Sequence, residues 1–420
     1  MRAPDQCAIL IGGLGRRLGD LTRSLPKPLL PVGERPFLDH IISEAARFGF
    51  KDILLLAGHC HEAVRRYLTE REGSWHRGPA ITLRVELTPA GTGGALWEAR
   101  DCLQSHFLLL NGDTWFDFNW LALGQVEGSS WATATIALRT LCEPGRYGIV
   151  TLRGSVVERF GGGHEAAGPG YVNGGVYLMS RDVVGHLRPK CSLEQDVFPE
   201  LAAAGKLRAG AFSGRFLDIG VPEDLCEAQA SIPLWARRPA VFLDRDGTLN
   251  VDTGYVHSPG EFHWLPGAID AVKALNDAGV YVFVVTNQAG VAHGMYEEAD
   301  VVALHDWMQA ELRDRGAHID DFRYCPYHPD AVAESYRRDH AWRKPKAGML
   351  EDLMRRWPID LQKSIIVGDK DSDVEAGRLV GVPGVMLERE NLYGVVSAFL
   401  DLLKRESDPV CPQAVSGQSV

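Results

Sequence analysis

Two aspartates separated by one residue stand directly after a short apolar run in the second half of this 420-residue sequence. Asp244 and Asp246 follow Ala240–Leu243, so they come at the end of a predicted strand, where they could share a cation. The first carboxylate could attack phosphorus while the second protonates the leaving oxygen. Further groups that suit phosphoryl oxygens follow along the chain: Thr286, Asn287, Arg343 and Lys344.

An acidic segment near the end of the chain completes this set. Asp369 follows the apolar run Ile365–Val367, and the segment Gly368–Asp373 offers further carboxylates for a metal ion. An aspartate pair alone is often only a turn or a helix cap. The pieces in this order, each at the end of an apolar run, predict a metal site for phosphoryl transfer.

The first half carries a different kind of anion site. The run Ala8–Ile11 leads into a glycine-rich turn with Gly12, Gly13 and Gly15. Glycines after a strand let backbone N–H groups approach a phosphate chain, and Arg17 and Lys27 could neutralise its charge. Many such turns are merely tight turns, but the nearby Pro-Lys-Pro makes this one more specific and predicts a phosphate cradle.

Short apolar runs are the candidate strands that position these groups. They include Ala8–Ile11, Ile53–Ala57, Phe107–Leu110 and Val172–Leu178 in the first half, and Ala240–Leu243, Val280–Val285 and Ile365–Val367 in the second. Each ends in Gly, Asn, Asp or Thr, which is typical of buried parallel strands with active-site loops at their carboxyl ends. Phe37–Phe48 and Ala268–Ala278 have the pattern of crossover helices. The sequence therefore predicts an α/β fold.

Composition and charge narrow the class of protein. The formal net charge is -11 and the pI about 5.7, so the sequence lacks the basic surface that nucleic acid requires. The eight cysteines include no CxxC pair, which favours a reducing compartment. No apolar run approaches the ~20 residues of a membrane span, and the N-terminus has no secretion-signal pattern. We expect a cytoplasmic protein without membrane partners. The composition is compatible with a homo-oligomer.

The length predicts two domains. A break falls near residues 231–239, which carry two prolines and no clear period. We expect a first domain over residues 1–232, a linker over 233–239, a second domain over 240–406 and a flexible tail over 407–420.

The first half resembles the sugar-1-phosphate nucleotidyltransferases, which join a nucleoside triphosphate to a sugar 1-phosphate and release pyrophosphate. Beyond the glycine-rich turn, the resemblance covers residues 5–230 through Gly91-Thr92-Gly93-Gly94-Ala95-Leu96, Leu110-Asn111-Gly112-Asp113, Asn173-Gly174-Gly175 and Asp218-Ile219-Gly220-Val221-Pro222-Glu223-Asp224. It implies a Rossmann-like fold in which Asp113 and Asp218 hold Mg²⁺. Gly93 and Asn173 would bind substrate, and a metal between the two phosphates would relieve their repulsion.

This sequence departs from that family in two ways. The family usually has Thr at the position of Arg16, so this chain has an additional cation beside the cradle. It also places a Glu-Lys pair shortly after a Phe in the segment before Asn-Gly-Gly, whereas Phe160 is followed here by three glycines. Arg146, Arg159 or Arg16 could replace the lysine that grips the sugar phosphate. Alternatively, the transferase is slow or altered in substrate.

Over residues 238–395 the second half resembles the haloacid dehalogenase superfamily of phosphatases. The resemblance implies a Rossmannoid fold with a minimal cap, Asp244 as nucleophile and Asp246 as general acid and base. Thr286 and Lys344 would hold the phosphoryl group, assisted by Asn287 and Arg343. Mg²⁺ would be bound by Asp244, Asp246 and Asp369, with Asp246 contributing its backbone carbonyl.

Three segments look like the small-capped branch that contains D-glycero-D-manno-heptose 1,7-bisphosphate 7-phosphatase and histidinol-phosphate phosphatase: Gly254-Tyr255-Val256, Thr286-Asn287-Gln288-Ala289-Gly290-Val291 and Cys325-Pro326-Tyr327-His328-Pro329. The heptose enzymes often carry a structural zinc held by Cys-x-His and Cys-x-Cys just before Arg-Lys-Pro. The matching positions here are Cys325, Tyr327, His340 and Trp342. Cys325, His340 and a displaced His328 could still bind, but tetrahedral zinc needs four good ligands, so we expect no zinc.

Together the two resemblances imply a bifunctional enzyme of activated-heptose synthesis. In that route, removal of the 7-phosphate from heptose 1,7-bisphosphate gives heptose 1-phosphate, which a nucleotidyltransferase activates, usually with GTP for the α-anomer. The implied partners are heptose bisphosphate, heptose 1-phosphate and a nucleoside triphosphate, with Mg²⁺ in both domains. Two alternatives stay open: a phosphatase fused to a non-catalytic nucleotide or sugar-phosphate binding module, and a pair directed at hexose phosphates. The sequence leaves the base and the anomer open.

Overall fold

A computed structural model describes residues 2–71, 78–86, 88–142, 148–161, 169–388 and 391–407. The chain divides into two compact units: unit 1 comprises Met1–Arg238 and His305–Asp320, and unit 2 comprises Pro239–Leu304 and Asp321–Val420. The expected division at residues 233–239 differs from this one in the segment 305–320. Within unit 1, Arg47 Nη1 lies 3.0 Å from Asp320 Oδ1, which ties that segment to the rest of the unit. Residues 408–420 of the expected tail lie outside the described residues.

Unit 1 is built around a large mixed sheet. Its strands are β1 (Gln6–Leu10), β2 (Pro31–Val32), β3 (Arg35–Pro36), β4 (Asp52–Ala57), β5 (Ala80–Val85), β6 (His106–Asn111), β7 (Thr114–Asp117), β8 (Ala134–Leu141), β9 (Ile149–Arg153), β10 (Val156–Phe160), β11 (Gly170–Ser180), β12 (Leu207–Phe212) and β13 (Arg215–Asp218). Its helices are α1 (Phe37–Arg47), α2 (His61–Glu70), α3 (Gly91–Glu98), α4 (Phe198–Ala203) and α5 (Pro222–Trp235). Within the described residues, the main sheet has the order β5-β4-β1-β6-β11-β8-β12-β10-β9.

Both faces of this sheet are covered, as a doubly wound fold requires. Along β1 the side chains alternate: Ile9 packs in a core cluster with Phe37 of α1, while Ala8 packs in a second cluster with Leu96 of α3 and Phe198 of α4. The predicted helix over Phe37–Phe48 is confirmed as α1.

One strand direction was predicted wrongly. β1, β4, β5 and β6 are parallel neighbours, but β11, which contains the run Val172–Leu178, is antiparallel to both β6 and β8. The apolar run reflects burial on both faces, and burial carries no information on direction. Part of the segment 231–239, in which a break is expected, is helical, because α5 continues through Pro233 to Trp235. Pro233 stands close to the end of this helix, where few hydrogen bonds are lost.

Unit 2 contains a parallel sheet with the order β16-β15-β14-β17-β18. Its strands are β14 (Ala240–Leu243), β15 (Tyr281–Asn287), β16 (Asp321–Cys325), β17 (Ile365–Gly368) and β18 (Gly384–Met386). The remaining helices are α6 (Ala268–Asp277), α7 (Ala289–Ala292), α8 (Glu298–Asp314, assigned to unit 1 from His305), α9 (Gly348–Arg356), α10 (Asp371–Leu379) and α11 (Leu392–Ser407). The predicted helix over Ala268–Ala278 is confirmed as α6.

The strand order of unit 2 reverses at β14, because the chain passes from β14 to β15 on one side and reaches β17 on the other. Loops separate at such a switch point and leave a crevice at the carboxyl ends of the strands. Asp244 follows β14 and therefore opens onto this crevice. No helix among the described residues has the length and apolar character to cross a lipid bilayer.

Candidate functional site

In unit 2 a buried lysine forms an ion pair with the predicted nucleophile. Lys344 Nζ lies 2.7 Å from Asp244 Oδ1 and 2.6 Å from Asp373 Oδ1, and it donates to the backbone oxygen of Val285 at 2.7 Å. Burial alone would lower the pKa of Lys344, but the two carboxylates outweigh burial and raise the pKa. Lys344 is therefore a fixed cation beside the Asp244 carboxylate.

Three carboxylates converge at the same place. Asp244, Asp369 and Asp373 each offer an oxygen, and these oxygens lie within 4.8 Å of one another. Burial raises the pKa of Asp369, and the Asp244 carboxylate raises this pKa further, against the charge of Lys370. Burial likewise raises the pKa of Asp373, and the Asp244 carboxylate adds to this effect, against the charge of Lys344. Carboxylate oxygens are the ligands that Mg²⁺ prefers, and a divalent cation would relieve this crowding. The residues present fit a magnesium ion held by these three side chains.

Asp373 was not among the predicted metal ligands, although the prediction included the acidic segment to which it belongs. The sequence signal for Asp373 as a ligand was its position four residues after Asp369. Because α10 begins between the two residues, its first turn brings Asp373 back toward the end of the strand. The close approach of Asp369 also depends on Gly247, which has a φ of +86° and where a Cβ would collide with Asp369 Oδ2.

The carboxylate of Asp246 is held by a separate set of donors. Arg245 Nη2 lies 2.9 Å from Oδ2 and 3.0 Å from Oδ1, Asn250 Nδ2 donates to Oδ1 at 3.0 Å, and Gln288 Nε2 donates to Oδ2 at 3.0 Å. Gln288 is itself oriented by the Tyr296 hydroxyl, which donates to its Oε1 at 2.8 Å. This carboxylate is therefore outside the acidic cluster, and a metal contact through the Asp246 backbone carbonyl stays a prediction.

The other predicted phosphate-binding residues lie at the same edge of the sheet. Thr286 is fully buried and its hydroxyl accepts from Gln288 Nε2 at 2.9 Å. Asn287 exchanges two hydrogen bonds with the backbone of Lys344, at 3.1 and 3.0 Å, so it orients the lysine. Arg343 is half-buried, and its Nη1 donates to the Tyr327 backbone oxygen at 3.3 Å.

Aromatic contacts surround Tyr327, His340 and Trp342, the positions at which we expect no zinc to bind. The Tyr327 ring lies 4.4 Å from the His340 ring and beneath the Arg338 guanidinium at 3.8 Å. His340 Nδ1 accepts from the Trp342 N–H at 3.1 Å. Cys325 is buried, and among the described residues it does not join a converging group of three ligands with histidines.

In unit 1 the glycine-rich turn lines a cavity of about 300 Å³. The other lining residues include Lys27, Glu86, Thr92 and Asp113. Gly12 lies in a tight position, because a Cβ there would lie 3.0 Å from Glu86 Oε1 and 3.1 Å from the Gly58 nitrogen. The predicted cradle therefore opens onto a space bordered by both charged and apolar groups.

A two-stranded sheet brings the two predicted metal aspartates together. Asp218 of β13 pairs in register with Thr114 of β7, and the Ile219 N–H donates to the Asp113 backbone oxygen at 3.0 Å. Lys27 is buried, with its Nζ 2.6 Å from Asp113 Oδ2. The two aspartates therefore lie at neighbouring points of this sheet, and carboxylate oxygens are the hard ligands that Mg²⁺ prefers.

Arg17 stands beside Asp218. Its Nη2 and Asp218 Oδ1 each lie 3.0 Å from the point where a Cβ of Gly220 would be. Arg16 and Arg159 are exposed, in the 3-10 helix Arg16–Thr22 and on β10, and Arg146 lies outside the described residues.

Two predicted substrate-binding residues have partners within the protein. The Gly93 N–H donates to the Cys191 backbone oxygen at 3.0 Å, so this N–H supports packing of α3. Asn173 Nδ2 donates to the Tyr177 hydroxyl at 2.7 Å, and its Oδ1 accepts from the Gly175 N–H at 3.1 Å.

Glu86 is a site residue that sequence reasoning missed. It follows β5 directly and lines the cavity, and its Oε2 is buried with no hydrogen-bond partner among the described residues. Burial raises its pKa, against the effect of a hydrogen bond from the Ala90 N–H. The available signal was an acidic residue at the carboxyl end of an alternating strand, the edge where ligands bind in α/β folds.

Comparison with known proteins gives separate matches for the two halves. Residues 7–233 match the sequence model of the Nucleotidyl transferase family, and residues 341–392 match the HAD-hydrolase-like family. Over 169 residues the chain is 47% identical to the D-glycero-beta-D-manno-heptose-1,7-bisphosphate 7-phosphatase of Rhodopseudomonas palustris, covering 40% of this chain and 94% of that protein.

Two further relatives are similar to one half each. The D-glycero-alpha-D-manno-heptose-1,7-bisphosphate 7-phosphatase of Photorhabdus laumondii is 38% identical over 146 residues, which cover 35% of this chain and 80% of that protein. The crystal structure of HddC from Yersinia pseudotuberculosis is 26% identical, with a TM-score of 0.48, over 55% of this chain and 98% of HddC.

Proposed function

Since the chain belongs to the nucleotidyl transferase family and, through its second half, to the D-glycero-D-manno-heptose-1,7-bisphosphate 7-phosphatases, we propose that it makes a nucleotide-activated heptose in two steps. Unit 2 removes the 7-phosphate from heptose 1,7-bisphosphate. Unit 1 then transfers GMP from GTP to the heptose 1-phosphate. The observation that carries this proposal is the presence, in one chain, of a phosphatase site with three converging carboxylates and a cavity lined by a glycine-rich turn, Lys27 and Asp113.

The phosphatase step follows from the groups around Asp244. A carboxylate oxygen of Asp244 attacks the phosphorus, the bond from phosphorus to the sugar oxygen breaks, and Asp246 gives that oxygen a proton. Water then attacks the aspartyl-phosphate, Asp246 takes up its proton, and phosphate leaves. Lys344 orients the Asp244 carboxylate and compensates negative charge on the phosphoryl oxygens. Bound Mg²⁺ would supply further positive charge there, held by Asp244, Asp369 and Asp373.

The transferase step needs positive charge more than proton transfer. An oxygen of the sugar 1-phosphate attacks the α-phosphorus of GTP, and pyrophosphate leaves. Lys27 and Arg17 stand beside the aspartate pair and compensate charge on the triphosphate. Bound Mg²⁺ would reduce the repulsion between the two phosphates, held by Asp113 and Asp218.

Glu86 supports guanine as the base. A carboxylate offers only acceptors, and the edge of guanine presents two adjacent donors, N1–H and N2–H. Adenine, cytosine and uracil each place an acceptor beside their donor on that edge, so a carboxylate would repel one of the two groups. A buried carboxylate oxygen without a partner in the cavity therefore favours GTP.

The decisive experiment incubates the full chain with each anomer of heptose 1,7-bisphosphate, Mg²⁺ and each nucleoside triphosphate, and reads the products by mass. We expect phosphate release with or without nucleotide, and a GDP-heptose with pyrophosphate only when GTP is present. Phosphate release without pyrophosphate from any nucleotide would assign unit 1 as a binding module. Strong turnover of hexose phosphates with indifference to heptose would contradict the heptose assignment.

A further inference from the structure

A long loop of unit 2 is closed by contacts between its two ends. It runs from Cys325, the last residue of β16, to Lys344, the cation beside the nucleophile. The centroid of the Tyr327 ring lies 4.4 Å from that of the His340 ring, and the two planes meet at 33°. The His340 ring in turn lies 6.2 Å from the ring of Trp342, edge to face. Aromatic rings at these separations attract one another beyond the burial of their surface, so they join the two ends of the loop.

The joined ends include a cation and rest on the hydrophobic core. The Arg338 guanidinium lies 3.8 Å from the centre of the Tyr327 ring, which is a cation–π contact. Tyr327 and Trp342 pack against the buried core cluster that contains Cys325. We call Tyr327, Arg338, His340 and Trp342 the aromatic cluster. Because the aromatic cluster packs on this core, it fixes the loop relative to the sheet of unit 2.

Hydrogen bonds connect the aromatic cluster to the residue before the catalytic cation. Arg343 Nη1 donates to the Tyr327 backbone oxygen at 3.3 Å, and the Arg343 N–H donates to the His340 backbone oxygen at 3.1 Å. Lys344 follows directly and forms its ion pair with Asp244. The position of both cations therefore depends on the closure of the loop.

A zinc ion is another device that could join the two ends, and the residues present do not fit one. Zinc is held by thiolate, imidazole or carboxylate, whereas the Trp342 indole offers only an N–H donor. Burial raises the pKa of the Cys325 thiol, which disfavours the thiolate that zinc requires. The positive charges of Arg343, Arg338 and Lys346 oppose this effect of burial, and they would also repel a divalent cation.

We propose that the aromatic cluster takes the place of a metal ion in this loop and positions Arg343 and Lys344 for the phosphatase reaction. Tyr327 and His340 are positioning residues, because they act through these two cations. The kinetic part of this inference rests on the proposed phosphatase function of unit 2, whereas the closure of the loop does not. Ring contacts need only the rings, and a metal needs ligand atoms, so the two devices respond differently to matched substitutions.

The sharpest variants keep the packing and remove a ligand atom. His340→Phe keeps a ring and Cys325→Val keeps a small apolar side chain, and neither new side chain can bind zinc. Tyr327→Ala removes a ring together with its cation–π contact, whereas Tyr327→Phe keeps both. Tyr393→Ala is the matched control, because Tyr393 is an aromatic residue of α11 in the same unit and is 49% exposed.

Two quantities are measured on the purified full chain in the presence of Mg²⁺. Hydrogen exchange of peptides from residues 326–343 reports the closure of the loop, and kcat/KM for p-nitrophenyl phosphate reports the position of the cations. Tyr327→Ala should accelerate this exchange about tenfold and lower kcat/KM about tenfold, while peptides from β14 and α6 exchange as in the wild type. Tyr327→Phe, His340→Phe, Cys325→Val and the control should match the wild type. A chelator selective for zinc over magnesium should change neither quantity.

Faster exchange or lost activity after chelation would overturn the proposal and assign the closure of the loop to zinc. A defect in His340→Phe or Cys325→Val comparable to that of Tyr327→Ala leads to the same conclusion. Unchanged exchange in Tyr327→Ala contradicts the closure, and faster exchange with unchanged kcat/KM contradicts the positioning role. If the wild-type protein hydrolyses neither heptose 1,7-bisphosphate nor p-nitrophenyl phosphate, the proposed phosphatase function fails, and hydrogen exchange alone decides whether the aromatic cluster closes the loop.

Discussion

Replacing Lys344 by methionine tests whether one cation both stabilises unit 2 and prepares its nucleophile. The substitution keeps much of the side-chain volume and removes the charge between Asp244 and Asp373, whose residues are 5% and 1% exposed. At 2.7 Å and an effective dielectric constant of ~20, the gross attraction in one such pair is about 6 kcal/mol. Desolvation offsets part of that energy, and loss of one partner from a buried ion pair costs about 3–5 kcal/mol. We expect Lys344→Met to destabilise unit 2 by this amount.

The assay measures hydrogen exchange of the full chain in urea, resolved to peptides from β14 and β17, with a chelator present so that no Mg²⁺ compensates the missing charge. Lys344→Met should also reduce phosphatase kcat about a thousandfold, because the nucleophile loses its orienting cation. Asp373→Asn relieves the repulsion that the methionine leaves behind. The double variant should therefore be more stable than the sum of the single effects predicts, by about 0.5–3 kcal/mol. Strict additivity, or a cost below about 1 kcal/mol for Lys344→Met, would refute the buried ion-pair reasoning.

Further outcomes follow from the two sites. Asp244→Asn should abolish phosphate release and leave the fold intact, since the amide is near-isosteric but not nucleophilic, and retained turnover would remove Asp244 as the nucleophile. Asp113→Asn should abolish pyrophosphate release and spare the phosphatase, and loss of both activities would contradict two independent sites. Glu86→Gln should reduce kcat/KM for GTP about 10–100-fold relative to UTP, because one acceptor becomes a donor. Since guanine needs the carboxylate and burial raises the pKa of Glu86, KM for GTP should increase as pH falls through that raised pKa, and the glutamine variant should lose this dependence. Metal analysis of the purified protein should find no stoichiometric zinc, and one zinc ion per chain would contradict that prediction.

The sequence by itself determined the local part of each site. Asp244 follows a four-residue apolar strand, Lys344 lies in an Arg-Lys-Pro motif, and the glycines after β1 allow the backbone to approach a ligand. These features depend on residues adjacent in the chain, so periodicity and spacing are sufficient to find them. The strands at Ala240–Leu243 and Ile365–Gly368 and the helices α1 and α6 were predictable for the same reason.

Tertiary structure alone decided which side chains meet. The antiparallel direction of β11 depends on its pairing with β6 and β8, and an apolar run buried on both faces is compatible with either direction. Asp373 meets Asp244 because β17, which α10 follows, pairs with β14. The Asp246 carboxylate is held by Gln288, 42 residues away. Glu86 borders the cavity at the glycine-rich turn because β5 pairs with β4, next to β1. Each of these outcomes depends on contacts between distant segments, whose free energy comes from packing and hydrogen bonding that local sequence patterns do not contain.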